Sequence, residues 1–181
     1  MAIIEEPKEM EEWLRELPQA RVKLTKLHFY FHDIASGQNP TAVKIAQAAN
    51  TMKSPTFFGL VNMIDDPLTE GPEPTSRLVG RAQGLYGLAS QEEISLLLSV
   101  NFVFTGGKYN GSTLTVLGHN PVMHPKREMP IVGGTGVFRL ARGFATAKTV
   151  SMNSTGDAIV EYNFAVLHYS FGRRKGKSVA S

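Results

Sequence analysis

The chain contains no cysteine, and that one absence removes disulfide staples, zinc–thiolate centres and a cysteine nucleophile together. No apolar run approaches the roughly 20 residues that a membrane-spanning helix needs, so no membrane partner is expected. The opening residues are acidic, unlike the basic and then apolar start of a secretory leader. Charged residues make up 19% of the chain, the net charge is +3, and basic and aromatic side chains are not interleaved as in a nucleic-acid binder. Gly133, Gly134 and Gly136 cluster, but neither Gly-Lys-Ser/Thr nor a helical pattern follows them. That argues against a phosphate loop and a dinucleotide fold. Val137 to Ala145 instead runs near alternation, so the glycines are expected to turn one strand into the next. Gly-x-Ser-x-Gly is missing, and with it the nucleophile elbow of a serine hydrolase.

What remains is a sequence of 181 residues with 42% apolar content, enough for one domain with a core that needs no staple. Its charge is unevenly placed. Residues 1 to 18 carry Glu5, Glu6, Glu9, Glu11, Glu12 and Glu16 against Lys8 and Arg15, whereas Arg173, Arg174, Lys175 and Lys177 crowd the last ten residues. The reading divides the chain into an arm (1–21), a body (22–170) and a solvated basic tail (171–181). Within the arm, Met10, Trp13, Leu14 and Leu17 share one face of a short helix over residues 7 to 17, which stops before Pro18. Trp13 is expected to dock this arm on a barrel.

From residue 22 the period changes to two. Leu27, Phe29 and Phe31 alternate with His28, Tyr30 and His32. Strand-like runs follow at Phe57–Ile64, Leu78–Leu88, Ile94–Thr105, Ser112–Leu117, Gly136–Val150 and Ala158–Ser170. Turn-rich segments separate them, among them Asp65-Asp66-Pro67, the proline-rich stretch to Pro74, and the Gly118–Lys126 connection. Many strands with short turns predict an all-β fold that abolishes its edges by closing into an antiparallel barrel of about eight strands. His28 and His32 share a strand face, but no third ligand accompanies them, nor His119, His124 or His168; no metal and no cofactor are expected.

Read in order, several segments resemble the plant dirigent family: Leu27 to Ile34, Arg81 to Tyr86, Phe102 to Phe104, Lys108 to Leu114, Arg127 to Gly143, and Tyr162 to Tyr169. The resemblance covers about residues 22 to 170. It implies an eight-stranded barrel of the allene oxide cyclase-like class, usually a homotrimer. It also implies a secreted, apoplastic protein in mature form, because family members generally carry a leader. Two sequons, at Asn110 and Asn153, fit that history, and Asn39-Pro-Thr is excluded by its proline. The missing cysteines depart from relatives that join their ends by a disulfide.

Four positions match those that matter in dirigent pockets: Asp33, Tyr86, Asn120 and Arg127. Asp33 ends a strand among apolar neighbours, where desolvation raises a carboxyl pKa and lets it act as a general acid. Tyr86 offers a hydroxyl and a ring to an aromatic ligand, Arg127 a permanent positive charge for a phenolate. Asn120 stands where the radical-coupling branch typically has aspartate. With Phe31, it is expected to bind substrate. Gly84-Leu-Tyr-Gly-Leu-Ala-Ser-Gln-Glu-Glu93, the lack of cysteine and Asn120 resemble the branch containing legume pterocarpan synthases. The resemblance therefore implies a hydro-lyase that closes an isoflavan-4-ol, a phenolic substrate, through a quinone methide. The alternatives are directed coupling of phenoxy radicals made by an external oxidase, and a non-catalytic phenolic-binding barrel.

Overall fold

The structure is a computed structural model and describes residues 8 to 171; the expected basic tail beyond Phe171 lies outside the described residues. One short helix, α1 (Lys8–Glu16), precedes nine strands: β1 (Arg21–Asp33), β2 (Ala42–Ala46), β3 (Val61–Thr69), β4 (Leu78–Leu88), β5 (Leu96–Phe104), β6 (Thr113–Asn120), β7 (Arg127–Thr135), β8 (Arg142–Met152) and β9 (Ala158–Ser170). Their order is β1-β9-β8-β7-β6-β5-β4-β3-β2, all pairings are antiparallel, and β1 also meets β3. The sheet is thus a closed eight-stranded barrel.

The ninth strand is half of a stave. β1 pairs with the end of β3 at Tyr30↔Thr69 and Phe31↔Leu68, and β2 pairs with its beginning at Ala42↔Ile64 and Val43↔Met63. Both run antiparallel to β3, so β1 and β2 line up along one edge. The chain leaves the wall after Asp33 and returns at Ala42. Backbone bonds from Thr41 and Ala42 to the Ile34 carbonyl pinch the excursion shut.

Inward positions follow the period of two: Phe29 and Phe31 on β1, Ile64 and Leu68 on β3, Leu98 to Phe104 on β5, Leu114 and Val116 on β6, and Val160 to Val166 on β9 are buried. Phe29, Phe102 and Phe164 pack with ring centroids 4.8–5.6 Å apart. They fill the middle of the barrel, each worth roughly 1.5–3 kcal/mol of burial. Phe104, Tyr109 and Phe138 plug the end nearest α1. The arm docks on its own barrel there: Trp13 meets Phe171 edge-on at 5.8 Å, and the Arg139 guanidinium sits 4.9 Å from the Trp13 ring.

Several sequence expectations are corrected. Asp65-Asp66-Pro67 is no turn but the middle of β3. Its proline is tolerated because the Asp65 N–H points to Thr41, on the β1–β2 side. Two residues on, the donor-free Pro67 nitrogen faces that same side at the break, where no ladder bond is lost. Ala42–Ala46 is a strand that the sequence reading passes over. Phe57 to Leu60 is not strand, since Phe57 and Gly59 take φ of +54° and +87° and turn the chain into β3. β6 runs on through Asn120, so Arg127 opens β7 after a shorter loop than expected. Gly136 begins a 3-10 turn, and β8 starts only at Arg142.

Gly84 is among the glycines fixed by close approach of a neighbouring strand. A Cβ at Gly84 would stand 2.2 Å from the Ser99 carbonyl oxygen and 2.9 Å from Val100 Cα on the neighbouring strand, and backbone atoms have nowhere to go. Gly84→Ala is expected to cost about 1–3 kcal/mol, the usual range for overpacking. Urea unfolding checks this as a lower midpoint at unchanged m.

Candidate active site

Antiparallel order brings the C-terminal ends of β1, β4, β6 and β8 to the same rim as the N-terminal ends of β3, β5, β7 and β9. There the aromatic filling stops and a cavity of about 490 Å³ opens. Phe31, Asp33, Tyr86, Asn120 and Arg127 all line it. Five residues spread over nearly a hundred positions of sequence thus meet because each stands at the rim end of its strand, Asp33 and Asn120 as last residues and Arg127 as the first of β7.

The cavity is apolar with a few placed polar atoms, the usual form of a small-molecule site. Leu88, Leu96, Leu98 and Val160 supply much of the apolar wall. Asp33 is the last residue of β1. Burial pushes its carboxyl up to about 6, the Tyr86 hydroxyl bond pulls it back, and the Asp157 charge adds to the rise. Asn62 Nδ2 donates to the Tyr86 hydroxyl at 2.9 Å. Burial, then the charge of Asp33, raises the Tyr86 pKa, so the phenol stays protonated. Arg127 is 4% exposed. Its Nη1 donates to Thr149 Oγ1 at 2.8 Å and to the carbonyls of Val122 (3.2 Å) and His124 (3.4 Å). Burial pulls its pKa down, but a guanidinium remains charged.

Among the described residues, five buried side-chain polar atoms have no hydrogen-bond partner. Three belong to residues that line this cavity: Asp33 Oδ1, Asn120 Oδ1 and Arg127 Nε. Buried polar groups are nearly always satisfied, so two acceptors and a cationic donor left without partners in the residues around one apolar chamber mark it as a polar site for a ligand with hydroxyl groups. Tyr162, buried beside Phe31 with ring centroids 5.8 Å apart, completes the aromatic wall.

The rim is tied by Asp157. It accepts from the Ala35 and Ser36 amides at 2.9 Å each, from the Ser36 hydroxyl at 2.6 Å, and from Asn153 Nδ2 at 2.9 Å. The Ser36 and Asn153 bonds chiefly hold its carboxyl down at about 2. The excursion after β1 and the β8–β9 turn, both part of the cavity mouth, are thereby clamped together.

Sequence reasoning missed Asn62, Asp66, Thr149, Asp157 and Tyr162. The even-numbered series Asn62, Ile64, Asp66, Leu68 carried the signal for two of them, hidden by Pro67. Asp157 reads as a turn residue, which it is, and nothing local says what it clamps. The histidines hold no metal cluster: among the described residues no group of three ligating side chains forms. His28 pairs with Glu161 at 3.0 Å, and His32 and His168 bond Thr69 and Thr25 at 2.6 and 2.9 Å.

Comparison with known proteins agrees with this architecture. Residues 24–167 match the family model described as Dirigent-like protein. Dirigent protein 23 of Arabidopsis thaliana is 51% identical over 170 residues, covering 93% of this chain and 91% of that protein. Pterocarpan synthase 1 of Glycyrrhiza echinata is 52% identical over 149 residues, 81% of this chain and 79% of that protein. A solved pterocarpan synthase dirigent protein superposes with a TM-score of 0.76 at 49% identity, covering 85% of this chain and 92% of the other. The matched stretch contains all nine strands but for the outer residues of β1 and β9, and with them every wall of the cavity: the chain is a member of the dirigent family.

Proposed function

We propose that this dirigent protein is a hydro-lyase that closes a 2'-hydroxyisoflavan-4-ol to one enantiomer of a pterocarpan. The observation that carries the reading is Asp33, a desolvated carboxyl held near 6 in the wall of an apolar chamber that Arg127 and Asn120 also line. Likeness to pterocarpan synthases at about half identity supports it.

The chemistry needs little. Arg127 holds the conjugated phenolate of the substrate, and Asp33 gives its proton to the C4 hydroxyl. The C4–O bond breaks, water leaves, and a neutral quinone methide remains. The 2'-hydroxyl adds to C4 from the face the wall leaves open, the conjugated oxygen becomes phenolate again, and the 2'-hydroxyl proton returns to Asp33. One carboxyl thus serves as acid and then as base, and the chamber contributes by holding a single conformer. No second acid is needed, in keeping with asparagine at 120.

Incubation of purified protein with racemic substrate and no oxidant, followed by chiral chromatography, tests this. Rapid appearance of one pterocarpan enantiomer is the expected outcome. Turnover seen only with coniferyl alcohol and an added oxidase would favour radical coupling. Binding without turnover, indifferent to Asp33→Asn, would mark a phenolic-binding barrel.

The proposal extends to assembly and place. Outward residues Val22 and Leu24 are 59% and 54% exposed, with Leu97, Leu117 and Phe144 also open on the outer face. A homotrimer would cover such surface, giving about three times 19.8 kDa in light scattering. Asn110 and Asn153 both lie exposed in turns, where glycans of a secreted, apoplastic protein would fit.

A further inference from the structure

The barrel wall is incomplete at the seam where β1 meets β3. β1 and β3 pair only at Tyr30↔Thr69 and Phe31↔Leu68. Continuing that register by two residues sets Asp33 opposite Asp66, on the inward face of both strands. Asp66 is fully buried and lies behind the cavity, not on its surface. Its Oδ1 accepts a hydrogen bond from the hydroxyl of Thr41, the last residue of the excursion before the wall resumes at Ala42. Its Oδ2 has no partner, and neither has Asp33 Oδ1.

Arg81 is a cation whose charge reaches Asp66, and it lowers Asp66 less than Asp33 raises it. Asp65 and Arg81 point outward and bond each other at 2.6 Å. The phenols of Tyr86 and Tyr162 face the pair from β4 and β9. Arg127 sits beside Tyr162, and Asp157 lies at the mouth. His32 turns to the opposite face, against Thr69.

We propose that Asp66 is a positioning residue for Asp33, the second member of a facing carboxyl pair that keeps one acidic proton at the seam. The two are coupled by charge through the wall, not by a direct bond. Burial, then the charge of Asp33, pushes Asp66 up to about 8, and the Thr41 bond works against that rise. The pair titrates as a unit, releasing its first proton near 6 and its second near 8. Between these values the pair still holds one proton that an isolated Asp33 would have released. The consequence for turnover rests on the reading of Asp33 as the acid; the pair itself does not.

Two measurements separate these. The first is a carboxyl-carbon NMR titration of aspartate-labelled protein. It is expected to show an Asp66 midpoint above that of Asp33, moving down in Asp33→Asn. An Asp66 resonance indifferent to Asp33→Asn overturns the pair, whatever the activity. The second is the pH profile of turnover. Asp66→Asn should lose about tenfold against wild type near pH 7.5 and less than about twofold near pH 5.5, as expected when the limb falls from one midpoint to a lower one. Thr41→Val, which removes the opposing bond, should move the alkaline limb the other way, and it carries the test if Asp66→Asn does not fold. An equal loss at every pH, or unshifted limbs in both variants, overturns the proposal. Absent turnover in wild type with coupled NMR midpoints would instead sink the reaction and leave the pair standing.

Discussion

Asp33→Asn is expected to slow pterocarpan formation by roughly two to four orders of magnitude, the usual contribution of a positioned general acid. The change is nearly isosteric. It keeps a carbonyl oxygen facing the chamber and a polar group within reach of Tyr86, so the cavity should still bind an isoflavanol. What disappears is the proton that lets the C4 hydroxyl leave as water. Steady-state kinetics should therefore show a collapse in kcat with KM changed by no more than a few-fold. A matching rise in KM with kcat intact would mean that Asp33 merely holds substrate. The wild-type enzyme should be most active on the acidic side of the carboxyl titration, because the acid form is the reactive one.

The second large effect concerns stability. Asp33 and Asp66 hold their protons to about 6 and about 8, while an unfolded chain releases them near 3.8. The folded state binds more protons across that interval, so stability falls as pH rises through it. The contribution of each group is complete below the unfolded value and is lost as pH climbs past the folded one, first for Asp33 and then for Asp66. Between pH 5 and pH 8 the loss should be on the order of a few kcal/mol, or about 10 °C in Tm for a chain this long. Asp66→Asn, which has no proton to lose, should flatten most of that slope and melt higher than wild type near pH 8. Differential scanning calorimetry at the two pH values checks this, and equal melting temperatures would contradict it. Asp157 acts in the reverse sense: its lowered pKa adds stability that persists above its unfolded value and is lost only as pH falls through about 2.

The barrel was legible because its strands obey a period of two where it matters. Phe29–Phe31 and Leu98–Phe104 point inward as their spacing requires, and about eight staves follow from that. β2 was invisible for a physical reason. Four of its five residues are exposed, so it makes no apolar alternation, and the backbone bonds to β3 that define it leave no mark on composition. Asp33, Tyr86 and Arg127 stood out as polar groups at the ends of apolar runs or in a family-like motif. Asp66 did not, since Asp-Asp-Pro looks like a turn wherever proline cannot join a ladder. Only the broken stave beside it, with its donor-free side, makes room for that proline. A long-range pairing of this kind, 33 residues apart across a seam, is a property of closure and not of local sequence.

The most direct test of the account places ¹⁸O in the C4 hydroxyl of 2'-hydroxyisoflavan-4-ol and weighs the product. Acid-driven loss of that hydroxyl followed by 2'-hydroxyl attack predicts a single pterocarpan enantiomer carrying no label, with all the ¹⁸O in water. A pterocarpan that retains the label, or no conversion by the wild-type protein, would contradict it.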